Sequence, residues 1–231
     1  MAGSVAVVTG AAGGMGSAIT KRLREAGMLV AGIDRVLPSD CDLAVQADVA
    51  SQEEMQAAVR RIESELGPVA AFVSAAGYYE SIPLTEVTDA QARDMLHVHL
   101  GGLFAGSQAV LPGMLARGDG AIVAVASELA VGGGDRDSHY AAAKGAILGL
   151  VKSLAVEVAH SGVRVNAVAP GPTNTPMLAP DSPWRAPDYL ATLPTRALAE
   201  PEDVALCVDF LVRSATFATG ETLNPNSGAV I

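Results

Sequence analysis

Short apolar runs rich in β-branched residues alternate with longer amphipathic stretches from one end of the chain to the other. The runs predict strands at residues 5–8, 29–33, 44–47, 70–74, 122–126 and 164–169, with a weak last one at 222–223. Strands separated by helical patterns are the signature of βαβ units feeding a parallel sheet. The expected fold is therefore α/β: a doubly wound, mostly parallel seven-stranded sheet of Rossmann type with helices on both faces. One domain, residues 1–231, is expected to carry both cofactor site and chemistry.

Local signals mark where helices begin. Ser51 followed by Glu54, and Thr88 followed by Gln91, each fit a capping box, in which side chains satisfy the free amides opening a helix. Pro201 with Glu202 and Asp203 suits a third start, because proline lacks the unneeded N–H and acids favour the positive helix end. Long helices are expected over residues 91–116 and 140–161. The stretch 170–199 carries six prolines beyond Pro170, among them Pro176, Pro183 and Pro187, too many for a regular helix throughout. Residues 172–199 read as a lid over a site.

Chemistry enters with the loop after the first strand, Thr9-Gly10-Ala11-Ala12-Gly13-Gly14-Met15-Gly16, which opens a helix whose apolar positions include Ile19, Leu23 and Ala26. Glycines there let the backbone approach a pyrophosphate, which sits on the amides and positive dipole of the helix N-terminus. Asp34 ends the second strand, 18 residues after Gly16. A carboxylate in that place accepts hydrogen bonds from the adenosine ribose and repels a 2′-phosphate, which favours NAD over NADP. Arg35 beside it is the residue that would favour NADP instead.

Tyr140 and Lys144 stand four residues apart in a helical segment, so phenol and ammonium share a face. A tyrosine with its ordinary pKa near ~10 is a poor base at neutral pH, and a fixed positive charge nearby lowers that value. It can then exchange a proton with a hydroxyl, as an alcohol giving up a hydride requires. Ser127, at the end of the fifth strand, is placed to hold the same oxygen.

The chain resembles the short-chain dehydrogenase/reductase family over nearly its whole length. Thr9 to Gly16 matches TGxxxGxG, Asp48-Val49 matches the adenine-side pair, Tyr140 to Lys144 is YxxxK, Ser127 lies 13 residues before Tyr140, and Pro170-Gly171 follows the sixth strand. The resemblance implies that Tyr140 is the acid/base, that Lys144 binds the nicotinamide ribose and tunes Tyr140, and that Ser127 positions the substrate oxygen. It implies a cofactor site formed by Gly10, Gly14, Met15, Gly16, Asp34, Asp48, Val49, Ala76, Gly77, Tyr140 and Lys144, with Pro170, Gly171, Thr173 and Thr175 around the nicotinamide end. It also implies a homodimer or homotetramer built on the long helices. Three segments depart from the family pattern: Ser74-Ala75-Ala76-Gly77 stands for NNAG, Val98-His99-Leu100 for VNL, and Asn224-Pro225-Asn226-Ser227-Gly228 for the VDGG-like end. His99, where the family has an asparagine near a proton path, is expected either to fill space within its helix or to join that path and add a pH dependence.

The activity expected is hydride transfer between NAD and a small, largely apolar secondary alcohol or ketone, given Met177, Leu178, Trp184, Tyr189 and Leu193 in the lid. An NADP-dependent reductase of 3-oxoacyl-type ketones and an idle NAD-binding scaffold are the alternatives. A net charge of −10, with no basic cluster to offset it, speaks against nucleic-acid partners. No apolar run approaches the ~20 residues of a membrane span, Met1-Ala2-Gly3-Ser4 has no basic n-region, and a cytoplasmic protein is expected. Cys41 and Cys207 read as buried thiols without metal-like spacing, and no metal is expected.

Overall fold

The computed structural model describes residues 3–230, so Met1, Ala2 and Ile231 of the termini lie outside the described residues. Seven strands form one sheet: β1 (Val5–Thr9), β2 (Leu29–Asp34), β3 (Leu43–Gln46), β4 (Val69–Ser74), β5 (Gly120–Val125), β6 (Val163–Val168) and β7 (Thr222–Leu223). Their order is β3-β2-β1-β4-β5-β6-β7, and every neighbouring pair is parallel. The chain winds outward from β1 to β3, returns to the other side of β1, and winds outward again to β7. That reversal opens a crevice beyond the carboxyl ends of β1 and β4, where Thr9 and Ser74 stand opposite each other.

The described residues hold eight α-helices: α1 (Gly14–Glu25), α2 (Gln52–Leu66), α3 (Asp89–Leu96), α4 (Gly102–Arg117), α5 (Leu129–Gly132), α6 (Ser138–Val158), α7 (Pro187–Thr192) and α8 (Pro201–Asp209). Val7, Phe72, Ile122 and Val165 point to one face, where Met55 of α2, Val110 of α4 and Val151 of α6 cover them. Val8, Val73 and Val123 point to the other, against Ile19 and Leu23 of α1 and Val204 of α8. Both faces are buried, which is why the strands read as continuous apolar runs rather than alternating ones. Burying each of these side chains stabilises by roughly 1.5–3 kcal/mol. Phe72 fits only because α4 carries Gly106 above it, where a Cβ would stand 2.0 Å from the ring. Asp209 of α8 accepts from Arg22 of α1 at 2.9 Å and pairs with Arg213, tying α1, and the loop that opens it, to the rest of the fold.

Three expectations change. The helix expected over 91–116 is interrupted: α3 ends at Leu96, a π-helical turn occupies His97–Gly101, and α4 follows. The His97 ring bonds the Ala50 carbonyl at 2.7 Å and the His99 ring the Tyr78 carbonyl at 2.9 Å, so this turn is fastened to two separate segments. π-Turns of this kind recur at functional sites. The box at Thr88 and Gln91 forms completely, whereas at Ser51 only half forms. Ser51 Oγ accepts from Glu54 N at 3.3 Å, but the Glu54 carboxylate turns to the amide of Asp48 at 2.9 Å. Cys41 and Cys207 are free thiols, partly rather than fully buried.

Candidate active site

The loop between β1 and α1 is built by close approach. Gly10 has a left-handed φ of 70°, and a Cβ there would lie 2.8 Å from Cα of Ala76. Thr9 Oγ1 accepts from the amides of Ala75 at 3.1 Å and Ala76 at 3.3 Å, lacing this loop to the one after β4. At Gly16 a Cβ would stand 2.0 Å from the Gly10 carbonyl oxygen. Helix α1 starts at Gly13 without a side-chain cap, so its first amides keep their hydrogen-bonding capacity for an anion.

These groups line an open cleft holding about 820 Å³ of atom-free space. Gly10, Gly14, Met15 and Gly16 line it together with Ala76, Gly77 and Thr175, and so do Asp34, Asp48 and Val49. Asp34 Oδ2 accepts from Ala12 N at 3.1 Å and Oδ1 from Val36 N at 3.3 Å, which fixes the carboxylate at the tip of β2. Uncapped helix amides, a glycine-rich wall and a fixed carboxylate suit a dinucleotide's pyrophosphate and ribose.

A second cleft of about 540 Å³ adjoins the first and shares Met15, Thr175 and Met177 with it. Ser127, Tyr140, Gly171 and Thr173 line it. Pro170 is buried behind it and lines neither cleft; its carbonyl accepts from Glu128 N at 3.0 Å. Ser127 lies two residues beyond β5, and its Oγ accepts from Leu129 N at 3.2 Å, leaving its proton free. Tyr140 stands in the first turn of α6, edge-on to Tyr79 at 5.2 Å and to His99 at 5.6 Å. Lys144, one turn on, is buried; its Nζ donates to the Val125 carbonyl at 2.8 Å and lies 5.7 Å from the Tyr140 ring centre.

Burial sets the electrostatics here. It pushes the Tyr140 phenol well above its usual range, with the Ser127 hydroxyl acting in the opposite sense. It lowers Lys144 to about 7. His99 falls to about 3, from burial first and the Lys144 charge second. Its Nε2 lies 2.9 Å from the Tyr78 carbonyl and 3.3 Å from the Tyr78 amide, outside its own helix, and its buried Nδ1 has no partner among the described residues. Burial and the Lys144 charge both favour the neutral ring, which speaks against the added pH step expected of it.

A family model for short chain dehydrogenase matches residues 4–186. The chain belongs to that family. It is 35% identical to a 3-oxoacyl-(acyl-carrier-protein) reductase of Vibrio cholerae, covering 98% of this chain and 97% of the relative. Identity reaches 37% with an acetoacetyl-CoA reductase of Paracoccus denitrificans, covering 97% of each, and 37% with a cis-4-hydroxycyclohexanecarboxylate dehydrogenase of Sinomonas cyclohexanicum, covering 97% and 95%. The ligand-free aldohexose dehydrogenase of Thermoplasma acidophilum superimposes with a TM-score of 0.91 at 28% identity, over 97% of this chain and 93% of that one.

This short-chain dehydrogenase is thus an oxidoreductase of small molecules that uses a nicotinamide cofactor. Among the described residues no helix is long and apolar enough to cross a membrane, and no cluster of His, Cys, Asp or Glu could hold a metal. Two residues of its second cleft escaped the sequence. Tyr79 donates its hydroxyl to Asp137 Oδ1 at 2.7 Å and walls Tyr140. Glu128 carries a buried carboxyl into the cleft wall beside Ser127. The one signal for Glu128 was a charge two residues after an apolar strand.

Proposed function

We propose that this enzyme transfers a hydride between NAD and a small, largely apolar secondary alcohol or ketone, with Tyr140 as acid/base, Lys144 tuning it and holding the nicotinamide ribose, and Ser127 seating the reacting oxygen. The observation that carries this reading is that Ser127 and Tyr140 line the cleft adjoining the glycine-walled one, with Lys144 buried behind Tyr140 at 5.7 Å from its ring. When bound, NAD supplies the hydride acceptor for the alcohol and, reduced, the donor for the ketone. The alcohol must also lose its hydroxyl proton, which the Tyr140 oxygen takes and returns in the reverse direction. The Ser127 proton is free to donate to the same oxygen. The Lys144 ammonium and the Tyr140 phenolate each favour the other's charged form, which offsets what burial imposes on both. Asp34 supports NAD, and Met177, Leu178 and Trp184, from the lid proposed over 172–199, support an apolar substrate. Exposed Leu96, Phe104 and Leu115 on α3 and α4 support self-association as a homodimer or homotetramer, which light scattering would read directly.

Reduction of 3-oxoacyl-type thioesters with NADP is the second reading. Arg35 beside Asp34 in the same cleft favours it, as do the activities named for two of the relatives. Initial rates with NAD and NADP over cyclohexanol, cyclohexanone and acetoacetyl-CoA separate the two; a higher kcat/KM for the thioester with NADPH replaces the first by the second. Tyr140→Phe should lower kcat at least about 10²-fold while NAD binding stays within about twofold. A variant keeping more than about a tenth of the rate would remove Tyr140 from the chemistry, and cofactor binding without turnover of any substrate would mark a scaffold.

A further inference from the structure

Glu128 is the buried ionisable group that the proposed chemistry leaves unused. It is only 4% exposed, yet it lines the second cleft with Ser127, Tyr140 and Trp184. Its main chain is fixed: its amide donates to the Pro170 carbonyl at 3.0 Å, and its carbonyl accepts from Val131 and Gly132 at 2.9 Å each. Its Oε2 is buried with no hydrogen-bond partner among the described residues. Gly171 makes room for it, since a Cβ there would lie 2.7 Å from Oε2. Asn226, also packed on Gly171, offers nothing: its Nδ2 donates to the Val230 carbonyl at 2.7 Å and its Oδ1 accepts from Gly228 N at 3.0 Å. No cation of the described residues pairs with Glu128, and burial pushes its carboxyl up to about 7.

A mostly buried carboxyl on a fixed main chain, in a cleft wall and with no partner, is an unfilled hydrogen-bonding position rather than a packing element. Resting on the reading of this cleft as the alcohol and ketone site, we infer that Glu128 forms a subsite for a second hydroxyl group on the substrate, so that a diol is preferred over the matching mono-alcohol. A hydroxyl suits it better than an ammonium. It bonds a carboxyl in either protonation state, whereas an ammonium needs the charged form that burial disfavours. The remaining wall, with Leu129, Leu178 and Trp184, suits a hydrocarbon frame carrying those two hydroxyls.

Trp184 is the single tryptophan of the chain and lines the same cleft, so its fluorescence reads binding without turnover. Titrating the protein with cyclohexane-1,2-diol and with cyclohexanol should give a Kd ratio of about tenfold in favour of the diol, the value of one added hydrogen bond. Glu128→Leu should bring that ratio close to one, and Glu128→Met serves if leucine prevents folding. A wild-type ratio near one, a ratio that survives both substitutions, or tighter binding of 2-aminocyclohexanol than of the diol would overturn the subsite. Diol selectivity that depends on Glu128 without oxidation of either alcohol would leave the subsite standing and defeat the proposed reaction. Oxidation of both alcohols with no dependence on Glu128 would do the reverse.

Discussion

The two adjoining clefts are made of different material. The one between β1 and β4 is walled by main chain at Gly10, Gly14 and Gly16, and its two carboxylates, Asp34 and Asp48, are each held by backbone amides. The other is walled by side chains, Glu128 with its unpartnered Oε2 among them, and behind Tyr140 stand the buried Lys144, whose pKa is lowered, and His99 with a bare Nδ1. The first end is a shape that a ligand fits, and it is compatible with a stable fold. The second is a set of reactive groups kept out of water, and each lowers stability to remain there.

The contrast is broken most strongly at Lys144. Lys144→Met should lower kcat at least about 10²-fold, yet raise the melting temperature by roughly 2–4 °C, the shift expected from about 1 kcal/mol in a chain of this size. The folded ammonium loses its proton near 7 against the ordinary 10.5, so between those values the unfolded chain holds a proton that the fold releases. Stability from this group therefore rises with pH across that window, and the gain in the methionine variant should be greatest at pH 7 or below and vanish toward pH 10.5. A variant less stable at all pH values would show that the bond to Val125 outweighs the burial.

Glycine-loop substitutions should act the other way. In Gly16→Ala the new Cβ meets the Gly10 carbonyl, so cofactor affinity should fall about 30-fold and the melting temperature should drop with it. Isothermal titration and thermal unfolding check the pair together, and an unchanged affinity would mean that the loop yields without consequence. At the far end, Asp34→Ser should reduce the ratio of kcat/KM for NAD over NADP about tenfold, with little effect on folding. A wild-type preference for NADP would sink this and point to Arg35.

The smallest effect is expected at His99. Its folded pKa of about 3 lies below the ordinary 6.5, so as pH falls between those values the unfolded chain takes up a proton that the buried ring refuses. His99→Asn should therefore leave the pH profile of kcat unchanged between pH 5 and 9, and lessen acid destabilisation below pH 6.5. A profile that loses a step in the asparagine variant would return the histidine to the proton path.

The difference between the clefts also governed what could be read from the sequence. Strand positions were legible to within about two residues because strands buried on both faces appear as apolar blocks. The glycine loop was legible because close backbone approach permits few residue types. The π-turn at His97–Gly101 was not, since it depends on Ala50 and Tyr78 arriving beside rings that nearby sequence cannot bring together. Glu128 was missed for a similar reason: a charge after a strand ordinarily points to solvent, and only the approach of Gly171 and Asn226 closes over it. Ser51 looked like Thr88, but Glu54 had a better donor in Asp48, which no local pattern announces.

The position of β1 inside a wholly parallel sheet, between β2 and β4, has a consequence for synthesis. Its side toward β4 stays unpaired until the chain has been made that far, and Thr9 and Val73, which join across that boundary, are 64 residues apart. At roughly 5–20 residues per second, the nascent chain exposes that edge of Val5–Thr9 for about 3–13 s on the ribosome. Five residues buried on both faces in the fold are thus, for those seconds, an adhesive strand that a chaperone or a neighbouring nascent chain can reach before β4 does.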